Sequence, residues 1–251
     1  MTIAAPTVAA AEGATFQPCG WFGRDGVAAR VLRRDGAGLV ALMRYPAGWR
    51  AAPLEYLEAD EAFLVLNGAL VVNGTTFARQ AYGAFSAFAP RLGACAPDGA
   101  TVLAFFSAPP HARAGMTPPA QSAACRHDAA RDVARRGLYL DGWDDDFARL
   151  AAPFWQAASS RIKLLRRDPA DAGADTLILG VLPIWRAARP WRPATALDLF
   201  VIEGDLAWDS AVLTAGAYAF IPAGAKLDGL RSTDGATLLI RSRGGGYGET
   251  G

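Results

Sequence analysis

Residues 63–74, FLVLNGALVVNG, are answered later in the chain by residues 199–210, LFVIEGDLAWDS. Each copy is an apolar run interrupted once by a glycine, at Gly68 and at Gly204. Aliphatic and aromatic residues at this density, bounded by turn formers, read as β-strand. In the first copy Asn73-Gly74 is a tight hairpin signal, because both residues tolerate positive φ.

Working outward, four more blocks recur in the same order. VLRRDG from Val31 matches LLRRDP from Leu164, and PAGWRAAP from Pro46 matches PIWRAARP from Pro183. GAFSAFAPRLGA from Gly83 matches GAYAFIPAGAKL from Gly216, and DGATVLAFF from Asp98 matches DGATLLIRS from Asp234. Trp49 and Trp185, Gly68 and Gly204, and Asp98 and Asp234 are each separated by 136 positions. A constant offset over ordered blocks indicates a tandem duplication. Other runs, LVALMRY from Leu39 and TLILGVL from Thr176, are also short, apolar and bounded by turn residues. Many short strands separated by turns imply antiparallel sandwiches or barrels. The expected fold is all-β, with two barrels in one chain.

The expected boundaries are a loose N-terminus over 1–15, a first barrel over 16–110, a connector over 111–159, a second barrel over 160–243 and a flexible tail over 244–251. The connector PPHARAGMTPPAQSAA is rich in Pro and Ala, and HDAARDVARRG after it reads as a short helix. Trp143, Phe147, Phe154 and Trp155 suit packing against a barrel. Both histidines, His111 and His127, fall in this connector.

The 251 residues carry 25 basic and 24 acidic side chains, a net charge of +1. That balance gives no electrostatic footprint for nucleic acid or for an anionic membrane. Cys19, Cys95 and Cys125 are widely spaced and odd in number, which argues against a disulfide framework and for a reducing cytoplasm. The first residues lack the pattern of a signal peptide, and no apolar run reaches membrane-helix length.

The repeated unit resembles the cupin family. The doubled form is similar to bicupins related to anti-sigma-type proteins and small-diketone dioxygenases. The family's first motif runs from a glycine through a His-x-His pair and a glutamate to a closing glycine. Its second motif runs from a glycine through Pro-x-Gly to a histidine. The three histidines and the glutamate bind a divalent metal inside the barrel. Counted from Gly48 and Gly68, the first-repeat ligand positions fall on Leu54, Tyr56 and Glu61, and the last falls on Cys95. In the second repeat, Gly204, Gly216 and Pro222-Ala223-Gly224 put them on Pro190, Arg192, Leu197 and Leu227. The resemblance therefore implies a degenerate metal site, with one family ligand kept in the first barrel and none in the second.

Such metals need several N, O or S donors converging on one point. Pro, Leu and Arg offer none. No metal or other cofactor is expected. If residues 54 and 56 face inward, strand alternation turns Glu55 outward. Glu58 and Asp60 fall in the turn before Glu61. A carboxylate inside an apolar barrel costs free energy unless it is paired, so Glu61 is either a raised-pKa acid or a partner of a strand neighbour such as Arg44.

Three functions stand at this point. The first is a metal-independent enzyme that holds a small apolar or aromatic molecule in the N-terminal barrel and moves protons in an isomerase, cyclase or lyase step. Its catalytic candidates are Glu61, Tyr56 and Cys95. Its substrate-binding candidates are Leu54, Trp49, Phe63, Phe105, Arg44 and Arg192, the last alternatively pairing with a buried acid such as Asp198. The second is a binding or sensing module that kept the pocket without chemistry. The third is the metal-dependent dioxygenase that the resemblance alone suggests. The expected partner is a small molecule, with no nucleic acid and no membrane, and a homodimer covers open sheet edges.

Overall fold

A computed structural model of the chain describes residues 5–9, 15–36, 38–115, 160–166, 176–244 and 247. It divides into two compact units, Thr15–Leu140 and Met1–Ala14 with Asp141–Gly251. Every strand pairing among the described residues is antiparallel.

In the N-terminal unit a nine-stranded sheet runs in the order Gln17–Pro18, Ala28–Asp35, Gly38–Tyr45, Ala100–Phe106, Glu61–Val72, Cys95–Ala96, Trp49–Arg50. Thr75–Ala78 and Tyr82–Phe85 also pair with Glu61–Val72. A second, three-stranded sheet is ordered Arg91–Leu92, Leu54–Leu57, Ala112–Ala114. Period-two alternation places Ala41, Met43, Tyr45, Phe63, Val65, Val102, Ala104 and Phe106 together in one buried cluster. The alternate residues Val40, Leu42, Leu64, Leu103 and Phe105 are buried outside that cluster, so this sheet is covered on both faces.

The C-terminal unit repeats the plan. Its sheet is ordered Thr7–Ala9, Tyr218–Ile221, Leu197–Trp208, Ala236–Ser242, Thr176–Val181, Ser160–Arg166, with Ala211–Thr214 on Leu197–Trp208. Its interior holds Trp185, Trp191, Leu197, Leu199, Leu213, Leu227, Leu238 and Ile240.

The glycine pair that flags the repeat has a structural cause. Gly68 and Gly204 have φ of 71° and 77°, and each sits at a bulge in its long strand. A Cβ there would collide with the carbonyl oxygen of Gly99 or Gly235 respectively. The predicted hairpin at Asn73-Gly74 has positive φ at both residues, 52° and 71°.

Three expectations at the segment ends need correction. Thr7–Ala9 lies in the stretch expected to be loose, yet it pairs with Tyr218–Phe220 and supplies an edge that would otherwise be open. Ala112–Ala114, expected as connector, pairs with Glu55–Leu57 as a barrel strand. Tyr247, in the expected tail, is buried and donates a hydrogen bond from its hydroxyl to the Ile240 carbonyl at 3.2 Å. The predicted short helix, His127, Cys125, Trp143, Phe147, Phe154 and Trp155 lie outside the described residues. No helix among the described residues is long and apolar enough to cross a membrane.

Candidate functional site in the N-terminal barrel

The strand Leu54–Leu57 decides what faces the interior. Glu55 and Leu57 are buried, while Leu54 and Tyr56 are half-buried. The phase is opposite to the one expected from Gly48. A one-residue change between the first glycine and the strand flips every side chain to the other face. Glu55 therefore points in, and Tyr56 turns to the opposite face, where its ring packs against Phe88 at 5.9 Å. Leu54 shares that face and does not line the interior.

Across from this strand, Arg91 is registered with Glu55 and is also buried. The second barrel contains the same pair as Trp191 opposite Leu227. Trp191 and Leu227 each lie 136 positions after Glu55 and Arg91, as Leu197 does after Glu61. The last ligand position of the family motif, placed on Leu227 in the second repeat, thus falls on Arg91 in the first. Cys95 does not occupy it. Its neighbours Ala94 and Ala96 belong to the buried cluster, whereas Cys95 between them is half-exposed and registered with Arg50 and Val71. Carrying the offset back from Leu227 identifies Arg91 from sequence alone.

The interior positions of the first barrel therefore carry Glu55, Leu57, Glu61 and Arg91. Arg91 Nη1 donates to Glu61 Oε2 at 2.5 Å, with both side chains 1% exposed. Glu55 Oε1 accepts from Arg24 Nη2, which reaches in from the loop after the short 3₁₀ turn Gly20–Phe22. Arg24 Nη1 donates to the Tyr45 hydroxyl oxygen at 3.1 Å. The guanidinium of Arg24 lies 4.5 Å from the Phe22 ring centroid and 5.3 Å from that of Trp49. Arg91 lies 4.5 Å from the Phe85 centroid, and Phe85 in turn stacks on Phe63 at 6.1 Å. Two carboxylates and two guanidiniums thus balance in one buried, aromatic-lined network.

Electrostatics within the network are cooperative. Burial pushes the Tyr45 phenol well above its usual range, against the lowering influence of Arg24. Burial works against the charge of Arg24, but Tyr45, Glu55 and Glu61 outweigh it and raise its pKa. Elsewhere in the unit, burial pushes the Cys19 thiol up to about 11, and the thiol donates to the Val27 carbonyl at 3.1 Å. Cys19 is a packed thiol, and burial disfavours its thiolate.

Asn73 holds Arg91 in place. Its side chain accepts from the Leu92 amide at 2.6 Å and donates to the Pro90 carbonyl at 3.1 Å, gripping the backbone on both sides of Arg91. The hairpin that marks the fold therefore also anchors the site.

A cavity of about 180 Å³ opens beside the network, lined in part by Arg24, Trp49, Arg50, Glu55 and Ala112. At roughly 30 Å³ per water, that is the space of about six waters, the size of a small organic molecule. Trp49 packs its ring edge against Tyr45 at 4.7 Å and donates from Nε1 to the Asp25 carbonyl at 3.1 Å.

The remaining predicted residues are placed elsewhere. Phe63 lies in the interior but is fully packed against Phe77 and Phe85. Phe105 faces away from the interior, because Ala104 and Phe106 take the inward positions. Arg44 is exposed, with its guanidinium 3.8 Å from the Phe16 ring, so the partner of Glu61 is Arg91 and not Arg44. Arg192 is exposed, and Asp198 bonds Tyr218 at 2.6 Å and Arg243 at 3.0 Å instead. Glu58 and Asp60 do lie in the turn. Glu58 accepts from Arg113 at 2.9 Å and Asp60 from the Ala87 amide at 2.7 Å.

The residues present do not fit a divalent metal. Glu55 and Glu61 are each engaged by a guanidinium, Leu57 has no donor, and Arg91 is a cation at the last ligand position. Among the described residues no three His, Cys, Asp or Glu side chains converge on one point. In the second barrel the equivalent positions hold Trp191, Pro193, Leu197 and Leu227, all buried in a packed apolar interior.

No family model and no curated protein matches the chain. Solved structures do. A proposed dioxygenase from Nostoc punctiforme superposes with a TM-score of 0.77 at 16% identity, over 94% of this chain and 82% of that one. A salicylate 1,2-dioxygenase from Pseudaminobacter salicylatoxidans gives 0.61 at 12% identity, over 97% and 85%. A cupin 2 conserved barrel domain protein from Leptotrichia buccalis gives 0.55 at 10% identity, over 97% and 98%. At such identities the likeness carries the fold, and the fold of this chain is that of the cupin barrel.

Proposed function

We propose that the N-terminal barrel is a metal-independent binding site for a small organic molecule, and that the chain works as a binding or sensing protein on a cupin scaffold. The observation that carries this reading is the pair of buried ion pairs, Arg24–Glu55 and Arg91–Glu61. In them Glu55, Glu61 and Arg91 take the interior positions that correspond to metal ligands in the family motif once the strand phase is corrected. A guanidinium at the last ligand position supplies fixed positive charge and directional donors where a metal would supply Lewis acidity. The adjoining cavity, lined in part by Trp49, Arg24 and Glu55, gives room for the ligand's body.

Proton-transfer catalysis by Glu61, Tyr56 and Cys95 has less support. Tyr56 and Cys95 lie on strand faces turned away from the network, and general acid–base catalysis needs hydrogen-bond reach to a common substrate. A metal-dependent dioxygenase has less still, given the donor set.

The test is the metal content of untagged protein, measured by plasma mass spectrometry before and after chelator and paired with thermal unfolding. The expected result is substoichiometric metal throughout and a melting temperature unchanged by chelator. Near one equivalent of iron, manganese, zinc or nickel per chain, lost together with stability on chelation, would overturn the reading.

A further inference from the structure

Three nitrogen atoms of the buried network have no hydrogen-bond partner: Nε and Nη2 of Arg91, and Nε of Arg24. All three are donors on cations, so the unmet demand is for acceptors alone. Arg91 spends Nη1 on Glu61 and leaves Nε and Nη2 unused. Those two nitrogens lie along one edge of the guanidinium plane, with parallel N–H bonds spaced to fit the two oxygens of a carboxylate. Buried donors in folded proteins are almost always satisfied, so an intact bidentate edge at 1% exposure is a shape awaiting its complement.

From these observations we infer that the N-terminal barrel binds a small carboxylate, seated bidentately on the Nε–Nη2 edge of Arg91. This deepens the proposed function and rests on it. The Phe85 ring covers one face of the guanidinium, and Phe63 and Phe77 pack against Phe85, so the plane of the edge is held by aromatic packing. Glu55 is both a wall of the cavity and the cross-strand neighbour of Arg91. Glu61 fixes the direction of the edge by holding Nη1, and Asn73 fixes the backbone that carries it. The second barrel has Leu227 at this position and no such edge.

The test uses the whole protein with formate, acetate and benzoate as probes. Arginine side-chain ¹⁵N NMR follows the Nε–H of Arg91, marked by the ring current of Phe85. Thermal unfolding runs in parallel. Millimolar benzoate is expected to shift the Arg91 resonance saturably and to raise the melting temperature by a few degrees. Arg91→Lys keeps the charge opposite Glu61 but removes the planar edge, and is expected to weaken benzoate at least about tenfold. Should that variant not fold, the titration of the wild-type protein decides alone. No saturable Arg91 shift with any of the three probes overturns the inference. If neutral aromatic probes perturb the Trp49 indole while carboxylates leave Arg91 unmoved, cavity binding stands and the carboxylate assignment falls. A protein that loads metal stoichiometrically removes the underlying reading as well.

Discussion

Glu61 and Arg91 are the pair on which the site's energetics turn. Each desolvates the other's charge, so the net worth of the pair is small, but removing one partner strands a buried ion. Glu61→Leu or Arg91→Leu alone is expected to cost about 3–5 kcal/mol of unfolding free energy. The chain itself offers the compensated alternative, because the second barrel has Leu197 and Leu227 at the equivalent positions, both fully buried. Glu61→Leu combined with Arg91→Leu is therefore expected to recover to within about 1–2 kcal/mol of the parent protein. Chemical denaturation of the four proteins in a double-mutant cycle measures this. A double variant as unstable as the sum of the singles would show that packing in the two barrels is not equivalent.

At the scale of the element, the long strand of each repeat depends on one glycine. Gly68 and Gly204 combine positive φ with a carbonyl that a Cβ would strike, so neither the backbone nor the space tolerates a side chain. Gly68→Ala and Gly204→Ala are each expected to cost about 2–4 kcal/mol. Hydrogen exchange should localise each loss to its own unit, and equal loss in both units from one substitution would contradict the independence of the two bulges. These glycines, the Asn73-Gly74 turn and the offset of 136 were legible because each is a local requirement written in one or two residues. The phase of the Leu54–Leu57 strand was not. Leucine, glutamate, tyrosine and leucine alternate no clear polarity, and the inward glutamate is acceptable only because Arg24 and Arg91 arrive from other segments. A buried charge network inverts the usual pattern of apolar inside and polar outside, so its members read as surface residues until their partners are known. Arg91 sat between a proline and a leucine in a loop-like stretch, and only its counterpart Leu227 marked it as interior.

At the scale of the whole molecule, one duplicated scaffold has been filled in two ways. The C-terminal unit closes its interior with tryptophan and leucine, while the N-terminal unit keeps four charges at the matching depth. Stability and binding are in this sense divided between the repeats, since an apolar interior carries no charge to be balanced and a charged one leaves groups for a ligand to satisfy. The C-terminal unit has its own dependence on the start of the chain. Thr7–Ala9 pairs with Tyr218–Phe220, covering the edge of a strand whose other side bonds Leu197–Phe200. Deleting residues 1–9 would expose that edge, and unpaired edges recruit other strands. The truncated chain is expected to lose about 1–3 kcal/mol from the C-terminal unit, to lose exchange protection at Tyr218–Ile221, and to self-associate at concentrations where the full chain does not. Exchange protection across Glu61–Val72 in the N-terminal unit should stay as it was. Hydrogen exchange with size-exclusion chromatography checks both halves of the expectation. Unchanged protection at Tyr218–Ile221 would mean that this edge does not need the N-terminal strand.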